Sequence, residues 1–312
     1  MINQIKSINL SHSIIFFVSI SIFILFSLKV GIFTLSPLIC LLLILSIGIT
    51  HGSLDHLKGK KLFTIYKINN IGIFYLTYLF IGLLIISLWT IFPASTLIFF
   101  LLVASFHFGK EDSHFLINSN LNLNKLLFLL KGLLIVVAPL HFHFNETIRI
   151  FKLLLVVNEN FYLALDFVET NRLILILIII SIISAATLFL TNYEIKKFTI
   201  FFDCLSVLIL NYFLSPLLAF TIYFCFLHSI RHIINLAFEL NKNSLKKGFK
   251  IFLSKSMPLT IITIILYIIS LYLLSNYYEF DNAIFKVIFI GLASLTFPHI
   301  LLEYFLEKHE NK

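Results

Sequence analysis

Ten long apolar runs separated by short polar connections constrain this chain more than any other feature of its sequence. They fall at about residues 13–28, 38–57, 72–92, 95–115, 126–143, 172–191, 198–214, 216–238, 257–275 and 284–306. A helix that crosses a bilayer needs about 20 such residues. Hydrophobic residues make up 60% of the sequence and charged residues 12%, against about 45–50% and about 25% in soluble domains. A water-soluble core has no room for that excess, whereas lipid solvates apolar side chains on every face of a helix. The runs are continuous rather than alternating over ten-residue strands. The chain is therefore read as an all-α, polytopic transmembrane bundle of about ten spans in one domain, residues 1–312, and not as a barrel.

The net charge of +8 does not point to nucleic acid, because the lysines cluster between apolar runs. Lys58, Lys60, Lys61 and Lys67 follow the second run, Lys196 and Lys197 the sixth, and Lys242, Lys246, Lys247, Lys250 and Lys255 the eighth. With ten spans and both termini in the cytoplasm, all three clusters obey the positive-inside rule. The acidic loop Tyr278–Asp281 then faces outward, and Lys29 is the minor exception. This orientation predicts a multi-pass protein of the cell's inner (plasma) membrane, solvated by membrane lipid. Cys40, Cys204 and Cys225 lie in apolar runs without CxxC spacing, so neither a disulfide framework nor a thiolate metal site is indicated. The first run has no small-residue cleavage site after it and reads as an uncleaved span. Residues 144–171 hold an apolar piece, Ile148–Val157, too short to span. It is expected to form an interfacial or re-entrant helix.

Seven of the eleven histidines fall in four blocks: His51 and His56 in HGSLDH, His107 and His114 in SFHFGKEDSH, His228 and His232 in HSIRH, and His299 in FPHILLE. The second, fourth, eighth and tenth runs carry these blocks, each in its second half. At 1.5 Å per residue, His51, His107, His228 and His299 lie roughly 10–15 Å below one membrane surface. Four helices thus bring histidine to one depth. A lone membrane histidine is more often a packing residue, but ionisable groups inside a bilayer are costly and tend to mark function. His228 and His232, four apart, leave the same face of one helix. The tail residues His12 and His309 are expected to be solvated, and His141 and His143 interfacial.

Carboxylates follow the same spacing. Asp55 stands four residues after His51, Glu111 four after His107 and Glu303 four after His299, and each is expected to accept a proton from a histidine and fix its tautomer, Asp55 that of His51. The alternative is that these acids are helix-end charges, evenly balanced for Glu111 and Asp112 beside Lys110. Asp203 either supports a histidine or pairs with Arg231. Imidazole donors suit zinc, copper, iron and nickel. Iron(II), with six positions, keeps four histidines and still has room for dioxygen. A site inside the bilayer implies a lipophilic substrate.

HGSLDH at 51–56, SFHFGKED at 105–112, CFLHSIRH at 225–232 and FPHILLE at 297–303 resemble, in order and spacing, the four signature blocks of the Brp/Blh family of membrane β-carotene 15,15′-dioxygenases. The resemblance runs from about Ile49 to Glu303. It implies a non-haem Fe(II) enzyme that uses O2 to cleave the central double bond of β-carotene into two all-trans-retinal molecules, and through retinal a functional link to a rhodopsin. It also implies iron ligands at His51, His107, His228 and His232. His56 and His299 match family histidines, and with Asp55, Glu111, Asp203 and Glu303 they are expected to support the ligands. Three other classes of membrane protein also use histidines. A membrane di-iron desaturase or hydroxylase needs about eight histidines and several HxxxH or HxxHH clusters. A metal or proton transporter needs a polar relay across the whole membrane, and a bis-histidine haem protein needs two facing ligands.

Overall fold

The computed structural model describes residues 2–30, 35–117 and 122–310, except the side chains of Ile2, Val30, His51 and Glu310. Among the described residues there is no strand. In chain order the helices are α1 (Ile2–Val30), α2 (Pro37–Leu43), α3 (Asp55–Ile65), α4 (Ile71–Ile91), α5 (Pro93–Glu111), α6 (Asn122–Phe142), α7 (Phe144–Leu153), α8 (Glu159–Thr170), α9 (Leu173–Leu190), α10 (Phe198–Phe213), α11 (Pro216–Ile222), α12 (Ile230–Leu240), α13 (Leu245–Ser275) and α14 (Phe280–Glu310). A π-helical segment (Ile44–Gly48) and a 3-10 turn (Ile49–Leu54) join α2 to α3, and a second π-helical segment (Tyr223–Ser229) joins α11 to α12.

The starts are written locally. Pro37, Pro93 and Pro216 open α2, α5 and α11, where a missing N–H costs nothing and φ is already helical. Asn70 caps α4 by accepting from Gly72 N at 2.9 Å, and Asn158 caps α8 by accepting from Phe161 N at 3.0 Å.

Eight of the described helices are long and apolar enough to cross a membrane, or nine if the pair Pro37–Gly48 and Gly52–Ile65, bent by 42°, counts as one span. The run expected over 198–214 folds as α10, only 16 residues long. Both departures fall at elements that carry buried polar groups. The bend falls on the HGSLDH block, and α10 carries buried Asp203. Large apolar side chains such as Leu76, Ile22 and Phe80 point outward, while Ser13, Asp203, Arg231 and the block histidines other than His51, His56 and His114 are buried. That inversion suits a bundle solvated by lipid.

Residues 144–171 form two short helices, α7 and α8, and neither spans. The carbonyls ending α7 are held from other helices: Trp89 Nε1 donates to Leu154 O at 2.8 Å, and Lys286 Nζ donates to Leu153 O. Close packing fixes the helix that carries His107. At the crossing of α5 and α6, Gly109 and Gly132 face each other's backbones, so that a Cβ on either would overlap a carbonyl oxygen of the other helix.

Candidate metal centre

The two π-helical segments meet at the centre of the bundle. A π turn widens the helix and is found mostly at functional sites. The Ser229 hydroxyl donates to the Gly48 carbonyl at 3.3 Å. A Cβ on Gly48 would lie 2.5 Å from Phe224 Cε1, so only glycine lets the segments come this close. One segment leads into the turn bearing HGSLDH, and the other bears His228 at its end.

Four imidazoles from α5, the second π-helical segment, α12 and α14 gather here. The His107 ring lies 5.4 Å from those of His228 and His299, and the His232 ring lies 6.0 Å from that of His299. All four are buried. His51 lies in the 3-10 turn, but its side chain is outside the described residues. Gly52, its neighbour, stands over the group, with an added Cβ 3.9 Å from His299 Nδ1.

Three of the rings are held the same way. His228 Nδ1 donates to Asp112 Oδ1 at 3.1 Å, His232 Nδ1 to Glu111 Oε2 at 3.2 Å, and His299 Nδ1 to Asp55 at 2.9 Å from both oxygens. An ionised carboxylate only accepts, so the proton belongs on each Nδ1, which leaves the lone pair of His228 and His232 on Nε2. That tautomer is the one a metal-binding histidine needs, and such carboxylate partners raise ligand basicity. The acids are themselves held: Tyr78 donates to Asp55 Oδ2 at 2.9 Å, and Tyr223 to Asp112 Oδ2 at 2.7 Å.

Asp55 accepts from His299, while the expected partner His51 has its side chain outside the described residues, and Glu111 accepts from His232 of α12. Glu303 does face His299, at 3.4 Å from Nε2, and also approaches His107 Nδ1 at 3.9 Å, while Lys58 donates to it at 2.6 Å. Among the described residues no hydrogen bond joins Asp203 to a histidine. It takes both Arg231 nitrogens, at 2.6 and 2.9 Å, and the Ser13 hydroxyl at 2.8 Å. His56 is half-buried and turns Nδ1 to the Ser53 carbonyl at 3.0 Å, and His114 turns Nδ1 to the Glu111 carbonyl. His12, placed in a solvated tail by its position, instead contacts the Phe226 carbonyl at 2.9 Å.

Tyr78 and Tyr223 have no signal in the sequence, Lys58 stands there only as a loop charge, and Asp112 only as evenly balanced between a histidine's partner and a helix-end charge. For Asp112 the available signal was its place next to Glu111, since adjacent acids at a helix end point to different neighbours.

The donor set suits a divalent metal. His107, His299 and Glu303 offer ligand atoms within 4.8 Å of one another, as do Glu111, His232 and Glu303. Charge points the same way. Asp55, Glu111, Asp112, Asp203 and Glu303 are set against Lys58, Arg231 and Lys131, the last sharing a cavity of about 20 Å³ with Asp112 and Asp203. The buried carboxylates outnumber the lysine and arginine cations set against them, a surround that suits a bound cation. Burying that excess in a bilayer without compensation would be costly.

No solved structure matches the chain. A protein described as beta-carotene 15,15′-dioxygenase, from an uncultured marine bacterium 66A03, is 29% identical over 284 residues, covering 87% of this chain and 94% of that protein. The family profile described as Beta-carotene 15,15′-dioxygenase matches residues 42–307, which contain all four histidine blocks. The chain belongs to the beta-carotene 15,15′-dioxygenase family.

Proposed function

We propose that this chain cleaves the central 15,15′ double bond of β-carotene with Fe(II) and O2, giving two molecules of all-trans-retinal within the plasma membrane. The observation that carries the reading is the set of buried imidazoles whose Nδ1 protons are each fixed on a carboxylate. His51, His107, His228 and His232 are assigned as ligands, with His299 and its Asp55 partner at the same centre. Both oxygen atoms end in the two aldehydes, so the reaction needs no external reductant. Retinal made here would be available to a retinal-binding rhodopsin.

Iron(II), when bound, supplies the point at which dioxygen and the polyene meet. The chain supplies the rest. Asp112, Glu111 and Asp55 hold three rings in one tautomer and one orientation. Phe108 stands edge-on to His228 with centroids 4.8 Å apart, and Phe224 stacks on the same ring at 5.9 Å. These aromatic walls exclude water and offer an apolar polyene a surface it can lie against. Lys58 neutralises Glu303, so this carboxylate can stay at the centre without adding charge.

The test is expression in a β-carotene-producing bacterium, with pigment extraction and metal analysis of the purified protein. Retinal should appear as carotenoid disappears, with one iron per chain. Pigment unchanged beside a fully metallated protein would sink the reading. A dinuclear centre of the desaturase or hydroxylase type is the second reading, because Glu303 belongs to both three-residue groups, as a bridging carboxylate would. Two irons per chain would favour it.

A further inference from the structure

Beside the metal centre, α3, α4 and α14 enclose a groove of about 360 Å³ that opens to the side of the bundle. Phe63, Phe74, Thr77, Tyr78, Leu302 and Phe305 line it, and Thr77 is exposed at its mouth. Its volume falls in the range of small-molecule sites, about 300–1,000 Å³. The lining is apolar and aromatic and faces the lipid side, so a ligand that fits it arrives from the bilayer.

The groove shares a wall with the centre. Pro298, at its inner end, directly precedes His299. The Tyr78 ring lines the groove while its hydroxyl donates to Asp55, the acid that holds His299. From Pro298 to Phe305 the groove runs about 10 Å along α14 at 1.5 Å per residue. Its far end is closed where Tyr66, another lining residue, meets His309, with the hydroxyl and Nε2 2.6 Å apart. A slot of that length is too short for a whole forty-carbon isoprenoid. It suits one cyclic end with part of the polyene, and its closed end limits how far that end can go.

We propose that this groove seats one ring end of a carotenoid, so that the chain passes Tyr78 and presents its middle to the histidines. The proposal rests on the β-carotene reading above and adds where the substrate sits and what sets its depth. An aromatic side chain placed in the slot should block it without touching a metal ligand. The experiment compares wild type, Thr77→Trp and Ile73→Trp, which fill the slot, with Leu76→Trp, an outward-facing neighbour on α4 that does not line it. Each is purified as the iron-loaded full chain in nanodiscs of stated lipid composition. Bound β-carotene is read by its visible absorption, alongside iron content, gel-filtration profile and retinal formation. Both slot variants should retain at least tenfold less carotenoid and show at least tenfold higher KM, with iron and elution unchanged. Leu76→Trp should match wild type. The proposal is overturned if either slot variant, folded and iron-loaded, retains as much carotenoid as Leu76→Trp. Carotenoid retention decides the groove independently of turnover. A wild-type protein that binds β-carotene but forms no retinal would refute the function and leave the retention result standing.

Discussion

Gly109→Ala tests whether one helix crossing sets the geometry of the centre. Gly109 lies in α5, two residues from Glu111 and three from Asp112, and its backbone rests on α6. A Cβ there would overlap the Phe128 carbonyl oxygen and stand 2.8 Å from its carbon and 2.9 Å from Gly132 N. Restoring an ordinary contact of 3.4 Å with that carbon requires a separation of 0.6 Å (3.4 minus 2.8), and clearing the oxygen requires more. Carried to the end of α5, a shift of that size disturbs the Asp112–His228 and Glu111–His232 contacts, now 3.1 and 3.2 Å, by more than hydrogen-bond geometry tolerates. Loss of such partners costs about 10–100-fold in metal affinity, and a displacement of about 1 Å costs about 100-fold in rate. Overpacking destabilises by about 1–3 kcal/mol, offset in part by the better helix propensity of alanine, about 1 kcal/mol. The variant should therefore fold while losing at least tenfold in bound iron and about 100-fold in retinal formation. The assay is iron per chain and initial rate in nanodiscs. Gly72→Ala, where a Cβ would come within 4 Å of the Asn70 side chain alone, is the control and should change neither. Wild-type iron and rate in Gly109→Ala would refute the link between crossing and centre.

His299→Ala and Asp55→Asn should each lower bound iron by about 10–100-fold, because His299 has the same carboxylate support as His228 and His232; full iron by metal analysis in both would remove this pair from the centre. Asp203→Ala should destabilise by about 3–5 kcal/mol, because it leaves buried Arg231 with only the more distant Asp112 carboxylate, at 3.8 Å. The loss should appear as lower thermal stability, with iron per folded chain retained; a fall in iron at unchanged stability would return Asp203 to the histidines. Reporter fusions after Lys61 and after Lys250 should read cytoplasmic and one after Asn282 external, as the lysine clusters require. An external signal at Lys250 would overturn the orientation.

The sequence was most legible where its signal was strongest. Continuous apolar runs gave the helices, and HSIRH gave a pair of histidines on one helix that the structure places at the centre. Glu303 follows the i, i+4 rule it was read by. The spacing does not say which histidine Asp55 and Glu111 hold, and the reason is geometric. A ligand whose Nε2 faces the middle of the bundle directs Nδ1 backward, toward whichever helix packs behind it. That neighbour is chosen by tertiary packing, so Asp55 of α3 reaches His299 of α14, and Glu111 of α5 and Asp112, the residue that follows it, reach the two histidines of HSIRH. Spacing along one helix does not encode the angle at which another crosses it. Nor does length alone: α10 supplies an interior face for Arg231 and is shorter than its apolar run.

The π-helical segments were not legible at all, yet the position of His228 depends on one. A regular helix advances about 100° per residue. Holding an extra residue in the turn over Tyr223–Ser229 rotates everything beyond it by about that angle relative to α11. The face carrying His228 and His232 is thereby turned independently of the face by which α11 packs on the core. Nothing in YFCFLHS requires this locally, since an α-helix would satisfy the same backbone groups. What favours it is the facing segment: Gly48 lets Phe224 approach, and the Gly48 carbonyl receives the Ser229 hydroxyl. Two irregular segments distant in sequence thus stabilise each other. Because the first leads directly into the turn that bears His51, a change at Gly48 should be felt at both histidine blocks together.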